Sequence, residues 1–469
     1  MYILYAVKLL IFFQLSVRIS YIKNIKGVHM KKLLLVTSLL SSLSFAQEAA
    51  AEPVLNAGDT AWMMVSTALV MLMTPIGLAL FYAGMTRAKN VLNAYSMVFG
   101  AFAIGFIAWI VAGFSIAFGT MDGSINEFMG GFSHIMLNGI SWTEFASVDL
   151  GQLYPKFVFV VFQGTFAAIT VAIISGSVIE RMKFSTWMVF AGIWVIVVYA
   201  PIVHMVWGGG YLFNEGALDF AGGTVVHMNG GLAGLVLAVL LGKRTDYPKA
   251  SMKPASIILT AVGAGLLWFG WYGFNGGSAF GANAIAGVAF LTTTIAAAAA
   301  ALTWLVIEAV IFKKPTLLGA ASGAIAGLVA ITPAAGFVGV SGSFIIGIVG
   351  AIVAFFGVAV MKKKLGYDDS LDAFGIHFIA GLWGSVATGI FALNEKALLW
   401  DGPLKASDDR LGQIFVQVES TVIVGLYTLV GTIIVYFIAK VLTGGARVTE
   451  EQEKEGLDES VHGERGFNL

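Results

Sequence analysis

Apolar stretches long enough to cross a lipid bilayer recur along this chain from Trp62 onward, separated by short polar segments. A helix needs about 20 consecutive apolar residues to span the roughly 30 Å of hydrocarbon in a bilayer. The pattern predicts an all-α polytopic membrane protein with eleven transmembrane helices. The predicted spans lie near residues 60–84, 92–118, 155–178, 185–207, 220–242, 255–275, 284–312, 317–334, 340–361, 372–393 and 412–442.

The composition agrees with that class and narrows the chemistry. Hydrophobic residues make up 58% of the chain and charged residues 12%, which is typical of a polytopic membrane protein. The 27 basic and 27 acidic residues balance, so no overall positive field favours nucleic acid as a partner. Because the chain has no cysteine, disulfides, thiolate chemistry and cysteine-ligated metals are excluded.

Basic residues fall on every second connection between the predicted spans. Lysine and arginine accumulate in cytoplasmic loops, and a missed or invented span would destroy the alternation. The pattern therefore supports eleven spans and predicts a protein of the cytoplasmic (inner) membrane, with the mature N-terminus outside and the C-terminus in the cytoplasm. The residues that show the alternation are Arg87, Lys89, Arg181, Lys183, Lys243, Arg244, Lys249, Lys253, Lys313, Lys314, Lys362, Lys363 and Lys364.

The N-terminal segment resembles a secretory signal that begins at Met30. Two lysines follow Met30, then an apolar run and the small residues that precede a cleavage site after Ala46. We therefore expect residues 1–29 to be an upstream extension absent from the mature protein, residues 30–46 to be the signal peptide, residues 47–443 to be the membrane domain and residues 444–469 to be a cytoplasmic tail. The alternative is translation from Met1, with an additional N-terminal anchor.

One motif occurs in both the fifth and the tenth predicted span. His227 and His377 each begin the pattern H-x-x-x-G-x-x-G, and a carboxylate precedes each of them, Asp219 in one span and Asp372 in the other. The two spans are five helices apart, so they run in opposite directions. This predicts an inverted repeat of five helices plus one extra helix. A chance match is the alternative, because glycine is common in membrane helices.

The two histidines are candidates for a functional pair. Glycines four and seven residues after a histidine share its helical face, so another backbone can approach each ring closely. Two neutral imidazoles on antiparallel helices can supply a hydrogen-bond donor and an acceptor to each other. A packing role is the alternative for each ring. A metal site is disfavoured, because no third or fourth histidine or cysteine ligand is near, and we expect no metal and no cofactor.

Five stretches of this chain resemble the ammonium transporters of the Amt family, which are relatives of the Rh proteins. They are PIVHMVWGGG, GALDFAGGTVVH, GWYGFNGGSA, TLLGAASGAIAGL and DDSLDAFGIH, and they occur in the family's order. The resemblance runs from about residue 54 to the C-terminus. It implies eleven helices around a narrow pore in each subunit, an inverted five-helix repeat and a homotrimer.

The same resemblance implies a role for particular residues at the outer mouth. Phe162, Trp207 and Ser278 match the wall of an outer cation site, and Phe166 and Phe274 match two stacked rings that close the mouth. The combination of Trp207 with Ser278 is similar to the Amt branch more than to the Rh branch.

Four further residues match positions deeper in the family's pore. His227 and His377 match twin histidines that line it, and Trp271 matches an aromatic residue close to it. Asp219 matches an acidic residue near the outer end of the fifth helix. That carboxylate is interpreted as a cap for backbone N–H groups, with a general base at the mouth as the alternative.

The chemistry of ammonium explains why these residue types would suit its selection over potassium. Ammonium and potassium have similar charge and size, but ammonium has four hydrogen-bond donors and a proton that it can release. A hydroxyl acceptor and aromatic faces concentrate cations at the mouth, and an apolar passage beyond it admits neutral ammonia while excluding an ion that cannot lose its charge. We therefore expect transport of ammonium or ammonia, with or without a relayed proton, and no enzymatic activity.

Two other functions were compatible with parts of the pattern. An ammonium sensor on the same scaffold would signal through its tail, but no appended signalling domain follows the last span. An intramembrane hydrolase would use the histidines with a carboxylate, but no serine or aspartate is recognisably paired with them. In the family the tail folds against the cytoplasmic face, where regulatory proteins of the PII class plug the pore exit, and this implies a PII-type partner.

Overall fold

The structure is a computed structural model that describes residues 55–148, 152–249, 251–393 and 409–467. The predicted upstream extension, the signal peptide and the proposed start of the membrane domain at residue 47 lie outside these ranges. Within them, ten helices are long and apolar enough to cross a membrane, and an eleventh apolar helix is shorter, with 15 residues. The prediction of an all-α, multi-pass membrane protein is confirmed.

Each of the eleven predicted spans overlaps one of these apolar helices. In chain order they are α1 (Ala57–Met85), α2 (Ala88–Phe118), α3 (Lys156–Ser175), α4 (Phe184–Asn214), α5 (Gly223–Leu241), α6 (Ile257–Gly277), α7 (Ala284–Ile311), α8 (Leu317–Ile331), α9 (Val340–Leu365), α10 (Phe374–Phe391) and α11 (Arg410–Leu442). The short helix is α8, which the sequence had placed at residues 317–334. It packs so closely on α7 that a methyl group at Gly327 would overlap Ala300 and the carbonyl oxygen of Ala296.

Four smaller elements, two strands and two short helices, were not predicted. The connection between α2 and α3 contains an antiparallel hairpin of β1 (Phe145–Val148) and β2 (Gln152–Pro155), in which Phe145 pairs with Pro155. The tail after α11 contains two short helices, α12 (Glu450–Glu455) and α13 (Leu457–His462). Strands this short carry no periodic signal that would distinguish them from a polar loop.

The tail packs against the beginning of α2. The carboxylate of Asp458 accepts the backbone N–H of Asn93 at 2.8 Å, and the ammonium group of Lys89 donates to the carbonyl oxygen of Glu453 at 2.9 Å. The amide side chain of Asn90 accepts the backbone N–H of Leu457 at 2.8 Å. The described part of the tail is therefore a docked segment and not a free solvated chain.

Four charged residues join the connections at one end of the helices, and of these Glu180, Arg244 and Asp368 are buried while Arg87 is partly buried. Glu180 binds Arg87 at 2.7 Å and Arg244 at 2.8 Å, and Arg244 also binds Asp368 at 2.8 Å. We call these four residues the charge network. It joins the α1–α2, α3–α4, α5–α6 and α9–α10 connections, which are all connections that carry basic residues. Burial raises the pKa of Glu180, but the guanidinium groups of Arg244 and Arg87 outweigh it and lower that pKa to about 2.

We predict that Glu180→Gln strongly destabilises the protein. The substitution removes the negative charge that compensates the buried guanidinium of Arg244 and the partly buried one of Arg87. Breaking a buried pair from one side costs about 3–5 kcal/mol. The measurement is the free energy of unfolding in mixed micelles, titrated with sodium dodecyl sulfate. Glu144→Gln is the matched control, because Glu144 pairs with Lys156 where both side chains are partly exposed, and its loss should cost no more than about 1 kcal/mol. Equal effects of the two substitutions would contradict the assignment.

Candidate functional site

The two histidines of the repeated motif are in direct contact. Their Nδ1 atoms lie 3.2 Å apart, and the ring planes are within 16° of parallel with centroids 5.3 Å apart. Both rings are buried, and each is in a π-helical turn at the start of its helix, Gly223–Met228 in α5 and Phe374–Ile379 in α10. One Nδ1 must carry a proton and the other must accept it, so the contact selects opposite tautomers in two neutral rings.

Glycines allow this contact, and they do so reciprocally. A methyl group at Gly231, four residues after His227, would overlap the backbone nitrogen of Phe378. A methyl group at Gly381, four residues after His377, would lie 2.9 Å from the carbonyl oxygen of Gly223. Each glycine therefore receives the backbone beside the partner histidine. This reciprocity is what an inverted repeat predicts for two equivalent, antiparallel helices.

Asp219 caps the N-terminal end of α5. One carboxylate oxygen accepts the backbone N–H groups of Gly222 at 3.0 Å and Gly223 at 2.7 Å. The other accepts those of Thr224 and Val225, each at 3.0 Å. Both oxygens are thus occupied by the unpaired donors of the first turn of a helix, which is the geometry of a capping residue.

The structural counterpart of Asp219 in the second repeat is Asp369, and the pairing of Asp219 with Asp372 is wrong. Asp369 lies eight residues before His377, as Asp219 lies eight residues before His227. Its carboxylate accepts the N–H of Phe374 at 2.8 Å, five residues ahead, as the Asp219 carboxylate accepts the N–H of Thr224. Asp372 instead forms an ion pair with Lys362 at 2.7 Å. The spacing to the histidine was the signal that identifies the correct residue.

Aromatic rings form a continuous row from the outer residues to the histidines. Phe166 and Phe274 stack with centroids 4.1 Å apart and planes within 17° of parallel, and both are fully buried. Phe274 then lies 5.7 Å from His227. Trp271 stacks on His227 at 5.2 Å, and its indole N–H donates to Thr332. The predicted gate and pore residues are therefore contiguous.

The three residues predicted for the outer site surround the same stack. Phe162 lies 4.9 Å from Phe166, and Trp207 meets Phe166 edge to face at 6.2 Å. The hydroxyl of Ser278 donates to the carbonyl oxygen of Phe274 at 2.8 Å. Its proton is therefore used inside the protein, and its lone pairs remain available to accept a hydrogen bond. The indole N–H of Trp207 donates to the carbonyl oxygen of Asp219 at 2.7 Å, which connects this group to the cap of α5.

A narrow cavity lies beside the histidine pair. The two imidazoles and the indole of Trp271 form part of its lining. The other lining side chains are apolar, namely Leu78, Phe81, Ile169, Ile173, Leu267 and Ile325. Within the described part of the chain, Nε2 of His227 is buried and has no hydrogen-bond partner. An ion in such a cavity would lose its hydration without a compensating charge, whereas a small neutral molecule could bind the free ring nitrogen.

The described ranges contain no group of three or more histidine, aspartate or glutamate side chains arranged to bind a metal ion.

Comparison with known proteins identifies relatives over most of the chain. Residues 61–467 match the model of the Ammonium Transporter Family. The ammonium transporter of Aquifex aeolicus (strain VF5) is 47% identical over 440 residues, which cover 93% of this chain and 98% of the relative. The crystal structure of Candida albicans Mep2 matches with a TM-score of 0.77 at 34% identity, over 85% of this chain and 88% of that one. A solved structure described as a sensor Amt protein matches with a TM-score of 0.77 at 26% identity, over 86% and 98%.

We predict that Asp219→Asn destabilises the protein more than Asp369→Asn does. An amide offers one acceptor oxygen, so the first substitution leaves two of four buried N–H groups unsatisfied, at a cost of about 2 kcal/mol or more. Asp369 accepts one backbone N–H, which the amide oxygen of asparagine can still bind. The Asp369→Asn variant should therefore lose about 1 kcal/mol of stability or less. Unfolding in mixed micelles measures both. The reverse order would show that Asp219 is not the principal cap.

Proposed function

Because the chain belongs to the ammonium transporter family, we propose that it recruits ammonium at the outer aromatic site, removes one proton and conducts ammonia past the histidine pair. The observation that supports this most directly is the order in which three kinds of surroundings follow one another along the row of aromatic rings. A cation-attracting group is followed by a closed aromatic stack, and then by a cavity whose polar lining consists of neutral imidazoles and an indole N–H that already donates to Thr332.

Recruitment depends on the faces of Phe162 and Trp207 and on the hydroxyl of Ser278. Aromatic faces attract any small cation, with a contribution of about 0.5–2 kcal/mol. The Ser278 oxygen adds a hydrogen-bond acceptor for ammonium. Potassium has no hydrogen to donate, so it can use this oxygen only as one coordinating ligand. The mouth therefore concentrates cations more than it discriminates between them.

Selectivity arises beyond the stack of Phe166 and Phe274. Moving an ion from water into an apolar passage costs many kcal/mol, because nothing in the lining replaces its hydration. Ammonium avoids this cost by transferring one proton to a water molecule at the mouth, which leaves as hydronium, and continuing as neutral ammonia. Potassium has no proton to release, so it would have to pay the full free-energy cost of dehydration and is excluded.

The histidine pair lowers the barrier for ammonia without providing a charge. Because the two Nδ1 atoms share one proton, the rings are fixed in orientation and in tautomer. The remaining ring nitrogen of His227 is free to bind ammonia in transit. Asp219 acts in this mechanism as a cap and a source of electrostatic attraction for cations, since both of its oxygens are occupied by backbone N–H groups.

The remaining expectations belong to the same proposal. The protein functions as a homotrimer in the cytoplasmic membrane, with its N-terminus outside. The docked tail lies on the cytoplasmic face and supplies a surface for a PII-type regulatory protein. The orientation and the position of the tail are supported by the charge network and by the bond of Lys89 to the tail, because both lie at connections that carry basic residues.

An ammonium sensor is the second candidate, because the fold also matches the solved structure described as a sensor Amt protein. A sensor need not sustain flux. Purified full-length protein in proteoliposomes under an inward ammonium gradient distinguishes the two: sustained ammonium uptake supports transport, and its absence with retained binding supports sensing. Electrical current in the same vesicles shows whether a proton accompanies ammonia, since passage of ammonia alone produces none.

We predict that His377→Asp admits potassium. A carboxylate in the cavity would stabilise a partly dehydrated cation by Coulomb attraction in a medium of low dielectric, so potassium flux should rise at least about tenfold. His377→Asn is the matched control, because it has the same shape without the charge and should continue to exclude potassium. The comparison is made in variants that still conduct ammonium. Full discrimination against potassium in a conducting His377→Asp variant would remove the pair from the selectivity mechanism.

We predict that Phe274→Ala lowers ammonium transport at least about tenfold, because its ring contacts both Phe166 and His227 and its loss displaces the row. The ring is fully buried, so truncation should also cost about 3–5 kcal/mol of stability. Phe190→Ala is the matched control, since Phe190 is equally buried but packs between Trp187 and Trp194 in α4. It should cost similar stability and leave transport per folded protein unchanged. Similar loss of transport in both variants would place Phe274 in the general core.

A further inference from the structure

The guanidinium group of Arg181 is fully buried in the α3–α4 connection and uses all five of its N–H donors. Nε donates to the carbonyl oxygen of Gly242 at 2.8 Å. One terminal nitrogen donates to the carbonyl oxygen of Ser177 and to the hydroxyl of Ser370. The other donates to the carbonyl oxygen of Asp368 at 2.6 Å and to that of Ala238 at 3.5 Å.

Four of these five acceptors lie at or next to the ends of the two helices that carry the histidines. Ala238 and Gly242 are at the C-terminal end of α5, which contains His227. Asp368 and Ser370 flank Asp369, the cap of the helix that contains His377. A single side chain thus joins the inner end of one histidine helix to the segment that leads into the other. Because helices are stiff over this length, that junction fixes how the two helices cross and therefore how the rings meet.

Arginine is the residue that this junction requires. Its planar group has donors in a fixed fork, so it binds carbonyl oxygens from three chain segments at once. Lysine would keep the charge but has three donors on one atom, and it could not reach both Gly242 and Asp368 with good geometry. None of the five acceptors is a carboxylate oxygen, which separates Arg181 from the charge network of Glu180, Arg87, Arg244 and Asp368.

The backbone of the same residue binds the tail. The N–H of Val448 donates to the carbonyl oxygen of Arg181 at 3.1 Å, and the N–H of Lys183 donates to that of Ala446 at 2.9 Å. Met182 and Arg447 form an isolated antiparallel bridge between these two bonds. Residues 446–448 therefore extend along residues 181–183 and bind the backbone on both sides of Met182.

We infer that Arg181 is a positioning residue for the histidine pair and that it transmits docking of the tail to that pair. Its side chain sets the crossing of α5 and α10, while the bridge with residues 446–448 sets its backbone. The inference rests on the proposed function, because its consequence for transport requires that the histidines line the pathway.

The first test compares Arg181→Lys with Arg87→Lys in the full-length protein in proteoliposomes. Arg87 is the matched control, because it is a partly buried arginine of the neighbouring charge network that binds Glu180 and none of the acceptors of Arg181. We expect Arg181→Lys to lower ammonium flux at least about tenfold and to weaken discrimination against potassium, because the rings no longer meet correctly. Arg87→Lys should leave discrimination unchanged. Equal selectivity in the two variants would overturn the positioning role.

The second test removes the bond to the tail. Val448→Pro deletes the N–H that donates to Arg181, whereas Val448→Ala keeps it. We expect Val448→Pro to change flux in the same direction as Arg181→Lys, and the double variant to resemble Arg181→Lys alone. No difference between the proline and alanine variants, or independent effects in the double variant, would overturn the link to the tail.

Hydrogen exchange keeps the inference separate from the proposed function. Amide exchange in peptides covering residues 238–242 and 368–372 should be faster in Arg181→Lys than in Arg87→Lys, whether or not the protein transports ammonium. If the wild-type protein shows no ammonium flux, the proposed function fails and exchange still decides whether Arg181 joins the two helices. Unchanged exchange in Arg181→Lys would overturn that junction even in an active transporter.

Discussion

The hydrogen bond between the Nδ1 atoms of His227 and His377 is the interaction on which the surrounding structure depends. Two imidazoles can meet at 3.2 Å in a buried site only if their helices approach to backbone contact and hold that distance. Gly231 and Gly381 allow the approach, because any side chain at either position would overlap the opposite helix. The bond in turn uses one nitrogen of each ring, so it defines which nitrogen of His227 remains free.

The parts of this arrangement that could be predicted from the sequence are those encoded by length and spacing. Apolar length located the spans, and a repeated histidine–glycine pattern predicted that two rings on antiparallel helices would meet. Asp369 and Arg181 were missed for physical reasons. Asp372 is the acidic residue nearest His377, and only the equal spacing of eight residues, together with the capping bond, identifies Asp369. Arg181 binds carbonyl oxygens distant in sequence, and no local pattern encodes such contacts.

The aromatic residues illustrate a second limit. The chain has 35 phenylalanines, so abundance alone identifies none of them as part of the proposed pathway. Resemblance to a family singled out Phe162, Phe166 and Phe274, and the structure then brought them into contact with Trp207 and His227. The stacking of two rings at 4.1 Å depends on rotamers and on the packing of α3 against α6, which no periodicity in the sequence specifies.

Helix α5 is bound by a charged side chain at each end and contains no charged residue along its length. The carboxylate of Asp219 binds the N–H groups at its N-terminal end, and the guanidinium of Arg181 binds carbonyl oxygens at its C-terminal end. Both charges have the sign that the dipole of the helix favours, and both satisfy backbone groups that would otherwise be unpaired. The stabilising charges therefore lie at the two ends, and His227 between them can stay neutral. The proposed exclusion of a permanent cation depends on that separation, because a charge near the centre would compensate the cation for its lost hydration.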